Sequence, residues 1–144
     1  MSQKIIQFEI ATPERVVFNQ EIKQITLPTL EGELTILPEH IPLVSILKPG
    51  VMELKLADDS LEVMAVSGGF LEVLRNKIVI LADTAERALE LDEQRIEEAR
   101  HRAEEAQQNA INVDQVEFAR IAAKLEKELA RTRALNRWRK IKGI

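Results

Sequence analysis

The chain has 144 residues, a formal net charge of −4, 45% hydrophobic residues and 31% charged residues, a balance typical of one globular domain or two small units. It has no cysteine and two histidines, which excludes disulfides, thiolate zinc sites, iron–sulfur clusters and a histidine-rich metal site. No apolar run approaches the roughly 18 residues of a membrane span, and the first residues lack the pattern of a signal or transit peptide. We therefore expect a soluble chain that stays where it is made.

The first part of the chain, up to about Asp83, alternates apolar and polar residues with period two, which predicts short strands. The expected strands are 4–10, 16–18, 21–27, 34–37, 51–56, 61–66, 70–74 and 78–82. Three prolines between Leu37 and Gly50 predict an irregular stretch that interrupts the sheet. Gly68 and Gly69, inside a strand pattern, indicate a bulge or a close backbone approach. Many short, evenly spaced strands indicate a small β-sandwich or barrel.

After Asp83 the pattern becomes helical, because strong helix formers dominate and there is no proline. Small and apolar residues recur at spacings of three and four, first as Ile96, Ala99, Ala103, Ala106 and Ala110, then as Phe118, Ala122, Leu125, Leu129 and Thr132. Asn109–Val113 separates the two helices, and Asp114 is a candidate N-cap for the second. The predicted fold is an all-β sandwich or barrel, residues 1–85, followed by an antiparallel two-helix hairpin, residues 86–144.

The helices are expected to pack along alanine-rich seams. Burying an alanine methyl contributes about 0.8 kcal/mol, against about 1.5–3 kcal/mol for a large aliphatic side chain. Such a seam permits close approach but holds weakly, so the hairpin is able to open and dock elsewhere.

Charge is distributed unevenly along the chain. Residues 120–144 carry nine Lys and Arg against two Glu, a net charge of +7, and the remainder carries −11. A basic segment of this kind can face nucleic acid, an anionic membrane, an acidic protein surface or the chain's own acidic part. The charge pattern alone leaves all of these partners open.

The sequence offers no catalytic constellation. His40 has no accompanying nucleophile motif and is interpreted as a structural or interface residue. Asp92 and Arg95 share one face of a helix start, and Arg133 and Arg137 are four residues apart on the second helix, a spacing able to grip phosphates. An antiparallel hairpin is expected to bring these four together. The alternative is that Asp92 is an ordinary N-cap and that the arginines form a solvated face.

Two long motifs resemble those of the epsilon subunit of F-type (rotary) ATP synthases. They are GELTILPEHIPLV at residues 32–44, with LKPG at 47–50, and VSGGFLEV at residues 66–73, with IVILAD at 78–83. The resemblance covers essentially the whole chain, because a β-sandwich followed by a helical hairpin is also the layout of that family. Thr35 and Glu39 stand where many relatives have glycine.

The resemblance implies a non-catalytic central-stalk subunit whose sandwich binds the gamma subunit and the c-ring. Glu31 and His40 are the residues expected at those contacts. The hairpin either folds onto the sandwich or extends into the catalytic hexamer, where it inhibits ATP hydrolysis. The residues expected to contact the beta (and alpha) subunits there are Arg131, Arg133, Arg137, Arg139 and Lys140.

The resemblance also implies a regulatory ATP site in the folded hairpin of some relatives. The matching residues are Glu86, Leu91, Asp92, Arg95, Arg133 and Arg137, whereas Ile96 stands where those relatives have alanine. No other cofactor and no metal are implied. The expected location is peripheral, on the cytoplasmic face of a bacterial cell membrane or, for a plastid-encoded chain, the stromal face of the thylakoid. The alternative function is a β-domain adapter with a basic helix for nucleic acid or another acidic partner, although one Trp and no Tyr give little stacking surface.

Overall fold

The computed structural model describes residues 4–110 and 113–143 of the chain. Strands fill the first part of this range and helices the second, so the predicted fold class is confirmed. The described residues form nine strands: β1 Ile6–Ala11, β2 Val16–Thr29, β3 Gly32–Ile36, β4 Leu43–Leu47, β5 Gly50–Leu56, β6 Leu61–Val66, β7 Gly69–Val73, β8 Lys77–Ala82 and β9 Ala85–Arg87.

Strand β2 joins the two layers of the sandwich. Its first half pairs antiparallel with β1, and its second half pairs with β3 and β5. One layer continues as β1-β8-β7-β4, where β1 and β8 are parallel, and the other continues from β5 through β6 to β9. A single strand of 14 residues can serve both layers because its register shifts between Ile22 and Gln24, which lets the strand bend.

The core lies between these layers and is aliphatic, as the composition requires. Phe8 and Phe18 are buried with ring centroids 5.9 Å apart. The largest fully buried side chains are Phe8, Ile10, Ile22, Ile25, Leu27, Ile36, Met52, Leu54, Met64, Leu71, Ile78 and Ile80.

The helical part begins with a 3-10 helix, Ala88–Glu90, followed by α1, Glu93–Gln108, and α2, Gln115–Lys142. The Asp92 carboxylate accepts hydrogen bonds from the backbone N–H groups of Gln94 and Arg95, and Asp114 accepts one from Glu117, so both helices have acidic N-caps. The predicted break at Asn109–Val113 includes residues 111 and 112, which lie outside the described residues. The division at residue 85 stays a prediction, and the sheet itself extends to Arg87.

Two sequence expectations about the strands were wrong. The separate strands 16–18 and 21–27 are one strand, because Asn19 and Gln20 stay paired to Glu9 and Phe8. The stretch between Leu37 and Gly50 contains β4, which pairs with β7 along its whole length. This strand was missed because apolar residues occupy both of its faces and give no alternation to detect.

Gly69 confirms the predicted close backbone approach. Its φ of 134° favours glycine, and a Cβ there would lie 2.7 Å from the Cα of Ala82 and closer still to the carbonyl oxygen of Leu81. Gly32 has a similar φ of 117°, but a Cβ there would meet nothing within 4 Å.

We therefore expect Gly69→Ala to lower the free energy of unfolding by at least about 2 kcal/mol more than Gly32→Ala. Both substitutions place alanine in a glycine conformation, so the difference isolates the clash with β8. Urea unfolding of the two variants measures it, and equal losses would contradict the close approach.

Candidate functional sites

Helix α2 docks the hairpin on the outer face of β5 and β6. Val63, Ala65, Ala88 and Ala134 form a small buried cluster, against which Val51, Leu91, Trp138 and Ile141 pack. The buried face of α2 comprises Glu128, Ala130, Ala134 and Leu135. The stripe predicted through Phe118 for packing between the helices contributes none of these buried residues, and Phe118 itself is 48% exposed.

Three arginines of α2 bind carboxylates of the docked hairpin and the sheet. Arg131 Nε lies 2.7 Å from Glu86 Oε1, and Arg131 Nη1 lies 2.6 Å from Glu128 Oε1. Arg137 forms two bonds with Glu53, 3.0 and 3.1 Å long. Arg139 forms two hydrogen bonds with Glu93, 2.8 and 2.7 Å long. These bonds join the end of α2 to the start of α1, as expected of an antiparallel hairpin.

The Arg139–Glu93 and Arg137–Glu53 pairs shift the pKa values of their own members. Hydrogen bonding to Arg139 lowers the pKa of Glu93, and hydrogen bonding to Glu53 raises the pKa of Arg137. A lowered carboxyl pKa contributes stability that is present above the unfolded pKa, about 4.3 for Glu. That stability is lost as pH falls through the lower, folded pKa.

A cleft of about 440 Å³ opens at the start of α1. Of the six predicted ATP-binding residues, Glu86, Leu91, Asp92 and Arg95 line it. Ile96, Arg102, Glu128 and Arg131 are among its other lining residues.

The expected convergence with Arg133 and Arg137 was wrong for the docked hairpin. These two arginines line a separate cleft of about 370 Å³ with Thr26, Glu33, Val51 and Glu53. Residues two apart on an α-helix point about 200° apart, so Arg131 and Arg133 lie on nearly opposite sides of α2. The cleft at α1 therefore receives Arg131.

The remaining predicted contact residues are dispersed. Glu31 is exposed in the β2–β3 turn, where its N–H donates to Thr29 Oγ1. His40 is half-buried in the β3–β4 loop, with its Nδ1 2.7 Å from the Ile41 carbonyl oxygen. Lys140 is exposed near the end of α2.

A row of exposed apolar side chains crosses one layer of the sandwich, and we call it the apolar row. Strand pairing places Ile46 beside Phe70, Phe70 beside Leu81, Leu81 beside Ala11 and Ala11 beside Val16. The four large members are 46–60% exposed. This row was not predicted from the sequence. Adjacent apolar residues in β7 and β8 nevertheless indicate strands with apolar side chains on both faces. Contiguous exposed apolar patches mark interaction sites for proteins, membranes or ligands.

Within residues 4–110 and 113–143, no group of His, Cys, Asp and Glu side chains is arranged to hold a metal ion. No helix in the same ranges has the length and apolar character that crossing a membrane requires.

Residues 5–88 match the family described as the ATP synthase delta/epsilon chain, β-sandwich domain. The chain is 47% identical over 118 residues to the ATP synthase epsilon chain of Herpetosiphon aurantiacus, an alignment covering 81% of this chain and 85% of that one. It is 51% identical over 98 residues to the epsilon chain of Dichelobacter nodosus, covering 68% of each. The chain belongs to the epsilon-chain family of ATP synthases. The predicted family is thus confirmed. An epsilon chain is a structural and regulatory subunit of ATP synthase and not the catalytic one.

Solved structures share the fold of this epsilon-family chain. A chain from the Euglena gracilis mitochondrial ATP synthase, in a structure of OSCP, F1 and c-ring, has a TM-score of 0.78 and 23% identity, covering 92% of this chain and 82% of that one. A chain from the central stalk and c-ring of the Tetrahymena thermophila mitochondrial ATP synthase has a TM-score of 0.61 and 15% identity, covering 94% and 99%. Membership in this family favours the ATP synthase function over the alternative hypothesis of a nucleic-acid-binding adapter, which the basic helix had suggested.

The lowered pKa of Glu93 provides a test of the Arg139–Glu93 bridge, which we call the clamp. We expect the Glu93 carboxyl to titrate at lower pH in the unmodified chain than in Arg139→Ala, because that substitution removes the hydrogen-bonded guanidinium. NMR titration of the side-chain carboxyl carbon measures this. Arg133→Ala, which removes one charge from the same helix, is the control and should leave the midpoint nearly unchanged. Equal midpoints in all three proteins would contradict the clamp.

Proposed function

We propose that the chain is a non-catalytic central-stalk subunit of an F-type ATP synthase, which helps couple rotation to ion translocation and inhibits ATP hydrolysis through its hairpin. The observation that carries this proposal is that a chain of this family has two different surfaces on the two layers of its sandwich. The sandwich presents the apolar row on one layer, while the other layer carries the basic hairpin.

The apolar row is the proposed docking surface for the gamma subunit. It lies on the β1-β8-β7-β4 layer, whereas α2 covers β5 and β6 of the other layer. Docking of gamma therefore need not displace the hairpin. Glu31 precedes β3 and His40 follows it, and both remain proposed contacts with gamma or the c-ring.

The proposed inhibitory surface is the basic side of α2, with Arg131, Arg133, Arg137, Arg139 and Lys140. In the docked hairpin three of these arginines bind the chain's own carboxylates. An acidic surface on the beta and alpha subunits must compete with those carboxylates, so inhibition requires the hairpin to leave the sandwich. The proposed location is peripheral, on the cytoplasmic face of a bacterial membrane or the stromal face of a thylakoid.

The gamma contact is tested by replacing Phe70 and Leu81 together with serine. Both side chains are about 60% exposed, so the fold should be retained while gamma binding weakens at least about tenfold. Val116→Ser, at an exposed apolar residue of α2, is the control and should bind normally. Affinity for purified gamma is the measurement, and normal binding by the double variant would contradict the docking surface.

The inhibitory surface is tested in the assembled complex by replacing Arg131, Arg133, Arg137 and Arg139 together with alanine. ATP hydrolysis should rise, whereas changing Arg133, Arg137 or Arg139 alone should have a small effect because exposed ion pairs contribute about 0–1 kcal/mol. Lys4→Ala and Lys23→Ala, which remove charge from the sandwich, serve as controls. Unchanged hydrolysis by the fourfold variant would eliminate the electrostatic mechanism.

A second proposal is that ATP binds the folded hairpin. It is supported by the cleft that gathers Glu86, Leu91, Asp92 and Arg95, whose volume suits a small-molecule ligand. Phosphate contact by Arg133 and Arg137 would require α2 to turn from its docked position. Calorimetry of the full chain with millimolar ATP tests binding, with Ile96→Ala as the variant expected to bind more tightly. No heat from either protein would refute the proposal.

A further inference from the structure

The three bridges that hold the hairpin differ in their access to solvent. We call Arg131, Glu86 and Glu128 the arginine latch. Their side chains are 21%, 32% and 10% exposed. The Arg137–Glu53 pair is 45% and 28% exposed, and the Arg139–Glu93 pair 34% and 58%. Solvent screens the latch least, so its charges interact most strongly.

The latch is built on a rigid part of the sheet. Glu86 lies in β9, paired to Ala65 of β6. The next residue, Arg87, forms a 2.6 Å bridge with Glu62, which is 7% exposed, and its guanidinium lies 5.7 Å from the centroid of the Phe18 ring. These contacts fix β9, so Glu86 presents its carboxylate to α2 from an anchored strand.

Glu128 makes the latch sensitive to the loss of its partner. Its Oε1 accepts from Arg131, whereas its Oε2 is buried and has no hydrogen-bond partner among the described residues. Arg131 is therefore the counter-charge of a carboxylate that is largely removed from water. Removing one member of such a pair is strongly destabilising, because the other charge is left buried and uncompensated.

We propose that Arg131 is an internal ligand that locks the hairpin onto the sandwich by neutralising Glu86 and Glu128 together. The other two bridges fix the position of α2 without deciding whether it docks. Three of the four fully buried residues of the seam between α2 and the sheet are alanines, Ala65, Ala88 and Ala134, and the larger side chains beside them are only partly buried. The seam therefore contributes too little burial to replace the latch. This inference concerns the free chain and goes beyond the proposed function.

The single tryptophan of the chain provides the test. Trp138 is half-buried in the seam, so its fluorescence and its quenching by acrylamide report docking of the hairpin. In the full-length chain, Arg131→Gln should expose Trp138 and speed hydrogen exchange of α2 amides at least about tenfold more than Arg137→Gln. Amides of β7 and β8 should be unaffected in both variants, which separates undocking from global unfolding.

A triple variant decides whether uncompensated charge is the cause. Glu86→Gln and Glu128→Gln, added to Arg131→Gln, remove all three charges and should return α2 exchange and Trp138 quenching close to their original values. An equal or larger effect of Arg137→Gln, or failure of the triple variant to recover docking, would overturn the proposal. Because both measurements use the isolated chain and no ATPase assay, their outcome is independent of inhibition in the complex.

Discussion

The contact between α2 and the outer face of β5 and β6 fixes the position of the hairpin on the sandwich. Its fully buried side chains are small, with Ala134 clustered with Val63 and Ala65. Alanine lets the helix approach closely but contributes little burial, so charge has an unusually large share in keeping the hairpin in place. The cleft at α1, the cleft that holds Arg133 and the covering of Trp138 all depend on this docked position.

The same contact explains how one short chain carries a segment of net charge +7 beside a part of net charge −11. Of the partners that a basic helix can face, the docked hairpin uses the chain's own acidic part. Glu53 and Glu86 present carboxylates from the sheet, and Glu93 presents one from α1. An external acidic surface therefore exchanges one set of carboxylates for another.

The sequence predicted the two-part architecture because the hydrophobic period changes from two to about 3.6 near Asp83, and the motifs at 32–44 and 66–73 identified the family. It did not predict β4, whose exposed Val44 and Ile46 conceal the alternation of a half-buried strand. It also did not predict which residues of α2 are buried. Alanine, leucine and arginine occur around the whole helix, so only the sheet beneath it selects Ala130, Ala134 and Leu135 for burial.

The residues of the proposed ATP site show the same limit of sequence-based prediction at finer scale. Leu91, Asp92 and Arg95 are close in sequence, and the start of one helix was enough to place them together. Whether Arg131 or Arg133 joins them depends on the rotation of α2 about its axis, which is set by packing against a distant part of the chain. Spacing within a helix fixes which residues share a face, but not which face is covered.

In the proposed mechanism a docked hairpin does not inhibit ATP hydrolysis, because its arginines are bound to the chain's own carboxylates. ATP hydrolysis by the assembled complex, with the hairpin held on the sandwich by a covalent link, tests this mechanism. A short bismaleimide would join cysteines placed at Glu53 and Arg137, whose side chains meet across the seam. We expect the linked complex to hydrolyse ATP without inhibition by this chain, whereas the same variant left unlinked remains inhibited. Equal inhibition with and without the link would contradict the mechanism.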